Sequence, residues 1–406
     1  MTPRAFERQL REYVGLYGAA SSGDEDPVAL ARESLEQLKV NPSLRVYTTP
    51  RGPVFYEDPL LDAAWSCVQA AADAGVGFAA EGEDLNYSLI HWIPVIVPLL
   101  HGRLARNRDV LKSLTPTVDV DLDLPARIAI FGDAGYRGLA QKRVLEMIAE
   151  RGQSVSFQSL IHLGDTYHGG GEGEMLRHLV TPLSILSRRL STRAFTLCGN
   201  HDLYAGPDGY ISAISVLNQP GRFFAIETPG WRLACLDSTL GDTSLRCMSG
   251  RIDDAQINWL TRKQDDGKRL IALTHHVARS AWDAPSGDLM RQIEGIPGLF
   301  AWYWGHEHRS AAYNPADGIR FPGGCVGNGA FLEPWTEPQR ELEKALAWYP
   351  RDGRCTCFGE GGRRHWPHGY LELELREDGL SERFYLEGSS RAAFTRNFTC
   401  QGVQSP

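Results

Sequence analysis

Five short segments of this chain end in metal-ligand residues, and each follows a run that reads as a buried strand. ARIAIF (126–131) leads to Asp133, FQSLIHL (157–163) to Asp165 and His168, and RAFTLC (193–198) to Asn200. RLIALT (269–274) leads to His275, and LFAWYW (299–304) to His306 and His308. In open α/β sheets, ligands collect at the carboxyl ends of the strands. Singly, each residue could be a strand-end cap or a turn residue. As an ordered set they point to one polynuclear metal site, a heavy constraint on the fold.

The rest of the pattern fits an α/β (α+β) core of mixed sheets covered by helices. Helices are expected at 138–150, near 173–190 and near 208–218, then a hairpin over 222–237 turning at Pro229-Gly230. Residues 252–264 read as an amphipathic helix, with Asp253 and Gln256 at capping-box spacing. GIRFPG (318–323) is a further strand candidate, and a hairpin over 370–388 turns at Asp378-Gly379. Residues 1–122 read as a mainly helical region without a motif, with helices at 3–17, 27–39, 58–74 and 88–112. VDVDLDLP (118–125) suggests a linker or edge strand. The catalytic domain is expected over 123–390, with an irregular insertion at 332–368 and a tail at 391–406.

Charge and cysteines narrow the function classes. A net charge of −8 with no basic stripe argues against a surface that holds long nucleic acids. The 8 cysteines are scattered, with one C-x-C (Cys355, Cys357) and no CxxC pair, so free thiols in a reducing, cytoplasmic setting are expected. MTPRAFERQLREYV is an amphipathic pattern, not a signal peptide. LIHWIPVIVPLL (89–100) is shorter than the ~20 residues of a spanning helix and holds two prolines, which reads as a buried helix without membrane contact.

Carboxylate, imidazole and carboxamide donors suit Zn, Mn, Fe or Co. Two divalent ions about 3.5–4 Å apart clamp the attacking and leaving oxygens of a displacement at phosphorus. A carboxylate must bridge them, and Asp165 is the natural candidate. Water between the ions loses its proton near neutral pH and becomes the nucleophile. After Asp133, Asp165 and that hydroxide are counted against two divalent ions, roughly one positive charge remains to attract a phosphoryl group.

The blocks FGDAG, GDTYH, GNHD, LTHH and GHEH resemble, in order, those of the calcineurin-like metallophosphoesterases over roughly residues 126–388. The resemblance implies two mixed sheets packed as a sandwich flanked by helices. It implies Asp133, Asp165 and His308 on one metal, and Asp165, Asn200, His275 and His306 on the other. It also implies that His201 touches the substrate and protonates the leaving oxygen, with Asp202 orienting its imidazole. Two departures stand out. Gly135 occupies a position where many members carry histidine, a form that resembles the purple acid phosphatase branch. That branch places a tyrosinate ligand where this chain has His168, so His168 is read as a metal ligand in its place; the other reading is a solvent-facing histidine. Neutral imidazole there favours two divalent ions and no tyrosinate colour.

The expected activity is hydrolysis of a phosphate ester on a small phosphorylated substrate. The alternatives are a phosphodiesterase acting on a nucleotide, cyclic nucleotide or lipid head group, and a non-catalytic metal-binding scaffold. His276 is expected at the rim, pointing away from His275. His162 is read as a satisfied core histidine. Tyr136, Arg137, Tyr204, Arg354, Arg363 and Arg364 are weaker candidates for substrate contact.

Overall fold

A computed structural model describes residues 47–49, 52–55 and 109–404, less 117, 136–137, 168–169, 204–205, 243–248, 283–286, 317, 332, 334, 352–364 and 401. His168, Tyr136, Arg137, Tyr204, the three arginines of 354–364, the Cys355–Cys357 pair and the expected N-terminal helices up to residue 108 lie outside the described residues. Residues 109–113 are helical, within the expected 88–112 element.

The chain divides into two compact units. One comprises Met1–Ser113, Thr166–Leu176 and His201–Ala213; its described strands are β1 (Tyr47–Thr49) and β2 (Gly52–Phe55), an antiparallel pair. The other comprises Leu114–Asp165, Arg177–Asn200 and Ile214–Pro406, and holds the remaining strands.

Strands buried on both faces build the two large sheets of the second unit. The first is built from β4 (Ala126–Phe131), β5 (Ser159–His162), β6 (Arg193–Thr196), β14 (Gly369–Leu375), β15 (Gly379–Leu386), β16 (Phe394–Thr399) and β17 (Gly402–Gln404). Its strand order is β17-β16-β15-β14-β4-β5-β6, with β4, β5 and β6 parallel and the others antiparallel.

Among the described residues, the second sheet has eight strands. These are β3 (Val120–Asp121), β7 (Phe224–Thr228), β8 (Trp231–Cys235), β9 (Arg269–Thr274), β10 (Leu299–Trp304), β11 (Ser310–Tyr313), β12 (Gly323–Val326) and β13 (Leu346–Trp348). The order is β13-β11-β12-β10-β9-β8-β7-β3, and β8, β9 and β10 run parallel.

Ile128, Ile130, Ile161, Leu371 and Leu373 of the first sheet share one apolar cluster with Ile226, Leu233, Ile271, Leu273 and Tyr303 of the second. The sheets therefore pack face to face, and the period-2 pattern sends alternate residues outward. Leu270, Ala272, Trp302 and Trp304 form the outer cluster with Leu260, Leu289 and Ile293. Those three lie on α4 (Asp254–Lys263) and α5 (Gly287–Glu294). On the first sheet's flank α1 (Leu139–Arg151) packs with α2 (Thr181–Leu190), which is entered through a π-helical turn at Met175–Val180. The helix near 208–218 is α3 (Asp208–Val216).

The first hairpin turns at Pro229-Gly230 as expected; the second turns over Glu377-Asp378, with Gly379 already opening β15. Several readings change. The strand expected at 318–323 begins only at Gly323, after a bridge between Ala316 and Ile319. Asp253 caps α4 by accepting the Gln256 N–H at 3.1 Å. The Gln256 side chain does not complete the box; its amide pairs instead with the Asp237 backbone, at 2.9 and 2.8 Å. The segment read as a tail carries β16 and β17, which extend the first sheet. Cys198, Cys235 and Cys325 are buried free thiols and Cys400 is a partly buried one.

Candidate metal centre

Strand register brings the expected residues together. Phe131, His162 and Thr196 are aligned across β4, β5 and β6, so the chain leaves all three strands at one edge, toward Asp133, Asp165 and Asn200. In the other sheet β9 and β10 pair up to Thr274 and Trp304, and the Gly305 N–H then donates to the His275 carbonyl at 3.0 Å. That bond starts the turn carrying His306 and His308. The third parallel strand of this sheet, β8, also ends near an aspartate. Asp237 is structural: it accepts the Thr239 and Leu240 N–H groups and pairs with Arg222.

The backbone at these positions is unusual. Five described non-glycine residues have positive φ, and three of them are Asp133 (56°), Asp165 (73°) and His306 (66°). Such conformations cost roughly 1–3 kcal/mol each and concentrate at functional sites. Glycine is required beside one of them. A Cβ at Gly199 would collide with the Asp165 carboxylate.

Ligand atoms of Asp133, Asp165 and His308 lie within 4.8 Å of one another, and so do those of His275, His276 and His306. His308 Nε2 is 3.5 Å from Asp133 Oδ1. Asp133 Oδ2 accepts the His306 N–H at 2.8 Å, which ties the two groups. His275 Nε2 is 2.9 Å from Asn200 Oδ1, 3.1 Å from His306 Nδ1 and 3.4 Å from Asp165 Oδ1.

The tautomer of His275 follows from its other nitrogen. Nδ1 faces the Leu163 carbonyl at 3.0 Å; a carbonyl only accepts, so Nδ1 carries the proton. Nε2 then presents a lone pair to the Asn200 and Asp165 oxygens. Buried acceptors pointed at one another repel unless a cation lies among them, and this donor set fits a divalent metal.

The charge balance agrees. Burial pushes Asp133 up to about 6. Burial alone would lower His308, yet Asp133 and Glu333 push it up to about 10. Burial, with His276 and His275 beside it, holds His306 well below the usual imidazole range. The acidic group thus draws positive charge, which a proton on His308 or a divalent ion supplies. His306 stays neutral, as metal ligation requires.

His276 differs from expectation. It is fully buried, not at a rim, with its ring 4.8 Å from that of His306 and its Nδ1 2.8 Å from Ser238 Oγ. Its adjacency to His275 was the only sequence signal. Glu333 lies 3.7 Å from His308 Nδ1 and was missed outright, because nothing local marks it. His162 is the satisfied core histidine expected: Nε2 accepts the Ala134 N–H at 3.2 Å and Nδ1 meets Thr196 Oγ1 at 3.0 Å. His201 and Asp202 belong to the other unit. There the His201 ring packs on the Tyr167 ring at 4.6 Å, and Asp202 Oδ1 accepts the Thr166 N–H at 2.8 Å.

Residues 126–310 match the family model of the calcineurin-like phosphoesterases. That match spans the strand ends carrying Asp133, Asp165, Asn200, His275, His306 and His308. No curated protein matches the chain in sequence. Among solved structures, the chain is similar to GAP50, the anchor in the inner membrane complex of Plasmodium (12% identity, TM-score 0.50, covering 69% of this chain and 89% of that one). It is also similar to the purple acid phosphatase PPD1 of yellow lupin, Lupinus luteus (14% identity, TM-score 0.45, 68% of this chain and 53% of that one). A third is PhoD (8% identity, TM-score 0.48, 71% and 73%). The chain thus spans about half the length of the lupin enzyme. At these identities the likeness concerns the fold. Among the described residues, no helix is long and apolar enough to cross a membrane.

Proposed function

We propose that the chain hydrolyses a phosphate ester on a small phosphorylated substrate, using two divalent ions. Asp133, Asp165 and His308 would hold one ion, with His168 added on sequence grounds. Asp165, Asn200, His275 and His306 would hold the other. The observation that carries this reading is His275 Nε2 facing the Asn200 and Asp165 oxygens at 2.9 and 3.4 Å while its Nδ1 faces the Leu163 carbonyl. When bound, the ions supply Lewis-acid polarisation of the phosphoryl group and a hydroxide at neutral pH.

The protein's own part is to orient and to move one proton. Asp165, whose Oδ1 lies near His275 while its ligand oxygen groups with Asp133 and His308, supplies the shared carboxylate. His201 directly follows Asn200 and is the candidate to protonate the leaving oxygen. Asp202, its neighbour in sequence, would orient that imidazole.

The test is hydrolysis of a chromogenic phosphomonoester and its diester counterpart after loading with Mn or Zn. Turnover of the monoester supports an open site for a terminal phosphate. Preference for the diester moves the reading to a phosphodiesterase. A non-catalytic role is the second reading, because the Plasmodium neighbour is described as an anchor. His201→Ala separates the two: bound metal stays while turnover falls about 10²–10⁴-fold if His201 is the acid. Metal binding without turnover on either ester in the unaltered protein would favour the scaffold.

A further inference from the structure

The segment after β12 folds back over the acidic half of the site. Gly329 N–H donates to the Gly132 carbonyl at 3.0 Å, and the Ala330 and Phe331 N–H groups donate to the Asp133 carbonyl at 3.2 and 3.3 Å. These bonds lay the Phe331 ring on the His308 imidazole, with centroids 4.1 Å apart and planes 33° from parallel. Two residues on, Glu333 Oε2 stands 3.7 Å from His308 Nδ1, and Oε1 stands 3.7 Å from Arg309 Nη2. His308 Nε2 points the other way, 3.5 Å from Asp133 Oδ1. The imidazole is thus clamped on one face by Phe331 and flanked by a carboxylate at each nitrogen.

Only one carboxylate can face the bound ion. A carboxylate accepts and does not donate, so the nitrogen facing Glu333 is the one that keeps its proton. The other nitrogen then offers its lone pair on the side of Asp133 and Asp165. Carboxylates placed behind ligating histidines fix ring orientation and raise ligand basicity.

We propose that Glu333 is a positioning residue for the ion held by Asp133, Asp165 and His308, acting through the Nδ1–H of His308. This rests on the two-ion reading above. It gives the 332–368 insertion, which also supplies β13, a specific role, since its first described residue completes the support of one metal ligand. Arg309 holds the other carboxylate oxygen, so Glu333 is oriented as well as charged.

The experiment compares metal binding by the unaltered full chain with Glu333→Gln, Glu333→Ala and Glu333→Asp. Ion content is measured by elemental analysis after dialysis against graded chelator, and the Co(II)-loaded proteins are examined by NMR for exchangeable imidazole N–H signals. The expected result is a loss of about 10–100-fold in affinity for one ion in the Gln and Ala variants. The second ion is retained, one shifted N–H signal moves or vanishes, and Glu333→Asp recovers part of the affinity. Equal affinity for both ions in Glu333→Gln, with an unchanged N–H spectrum, overturns the proposal. So does equal loss of both ions. Absence of any metal binding by the unaltered chain would instead overturn the two-ion reading, and this inference with it.

Discussion

The two sheets bring different chemistry to one edge of the sandwich. The sheet containing β4, β5 and β6 delivers Asp133, Asp165 and Asn200, oxygen donors that include both carboxylates. The sheet containing β9 and β10 delivers His275, His306 and His308, all imidazoles. Charge therefore comes from one side and neutral ligation from the other. His308 is the exception in environment: it sits with the carboxylates, and its proton affinity is raised, whereas that of His306 is lowered. Both carboxylates thus come from one sheet, and the His275 side of the site is built of imidazoles.

The sharpest break of this contrast is Asp165→Asn. It removes the carboxylate shared by the two groups, and should lower phosphoesterase turnover by at least about 10²–10³-fold, as loss of a preorganised charge does. Steady-state rates with saturating Mn check this; near-normal turnover would remove Asp165 from the bridging role. Next come His308→Ala and His275→Ala, each expected to lose one ion and keep the other. Elemental analysis of the two variants should therefore show complementary deficits, and identical deficits would merge the halves into one site.

The carboxylate sheet is also the one that acid should attack. Burial lowers His162 of β5 from 6.5 to about 3, while in the unfolded chain it takes a proton near 6.5. The unfolded state binds the extra proton between those values, so stability present above pH 6.5 is lost as pH falls toward 3. The loss should reach about 3 kcal/mol by pH 4. Thermal unfolding of His162→Gln should lack that component, whereas parallel acid curves for the two proteins would exclude it. The smallest effect is expected from Tyr303→Phe. The hydroxyl of Tyr303 in β10 donates to Glu382 Oε2 of β15 at 2.7 Å, a polar tie between the sheets. Its loss should cost about 1–2 kcal/mol in chemical denaturation and leave both metal affinities unchanged.

Much of this site was legible in the chain. Burial of a strand and the polarity of the residue just past it are local properties, so ARIAIF-then-Asp or RLIALT-then-His can be read without the fold. The turn at Pro229-Gly230 was legible for the same reason, and the second hairpin's turn was placed within one residue. Misreadings arose where partners are distant. FTRNFT lies in the segment read as a tail; in the fold it is a strand whose Arg396 guanidinium is buried against Glu382 at 2.6 Å. Gln256 was expected to close its own helix cap, and it was drawn instead to the Asp237 backbone nearly twenty positions away.

By itself, the sequence determined the donor types, their order and their place at strand ends, because periodicity and residue chemistry act over a few neighbours. Tertiary structure decided which ligands group together, that His276 is buried beside His306, and that Glu333 stands behind His308. Those outcomes depend on how two sheets and a returning loop pack. Side chains far apart in the chain meet only once the apolar faces have closed, and no local pattern records the distance at which they will stand.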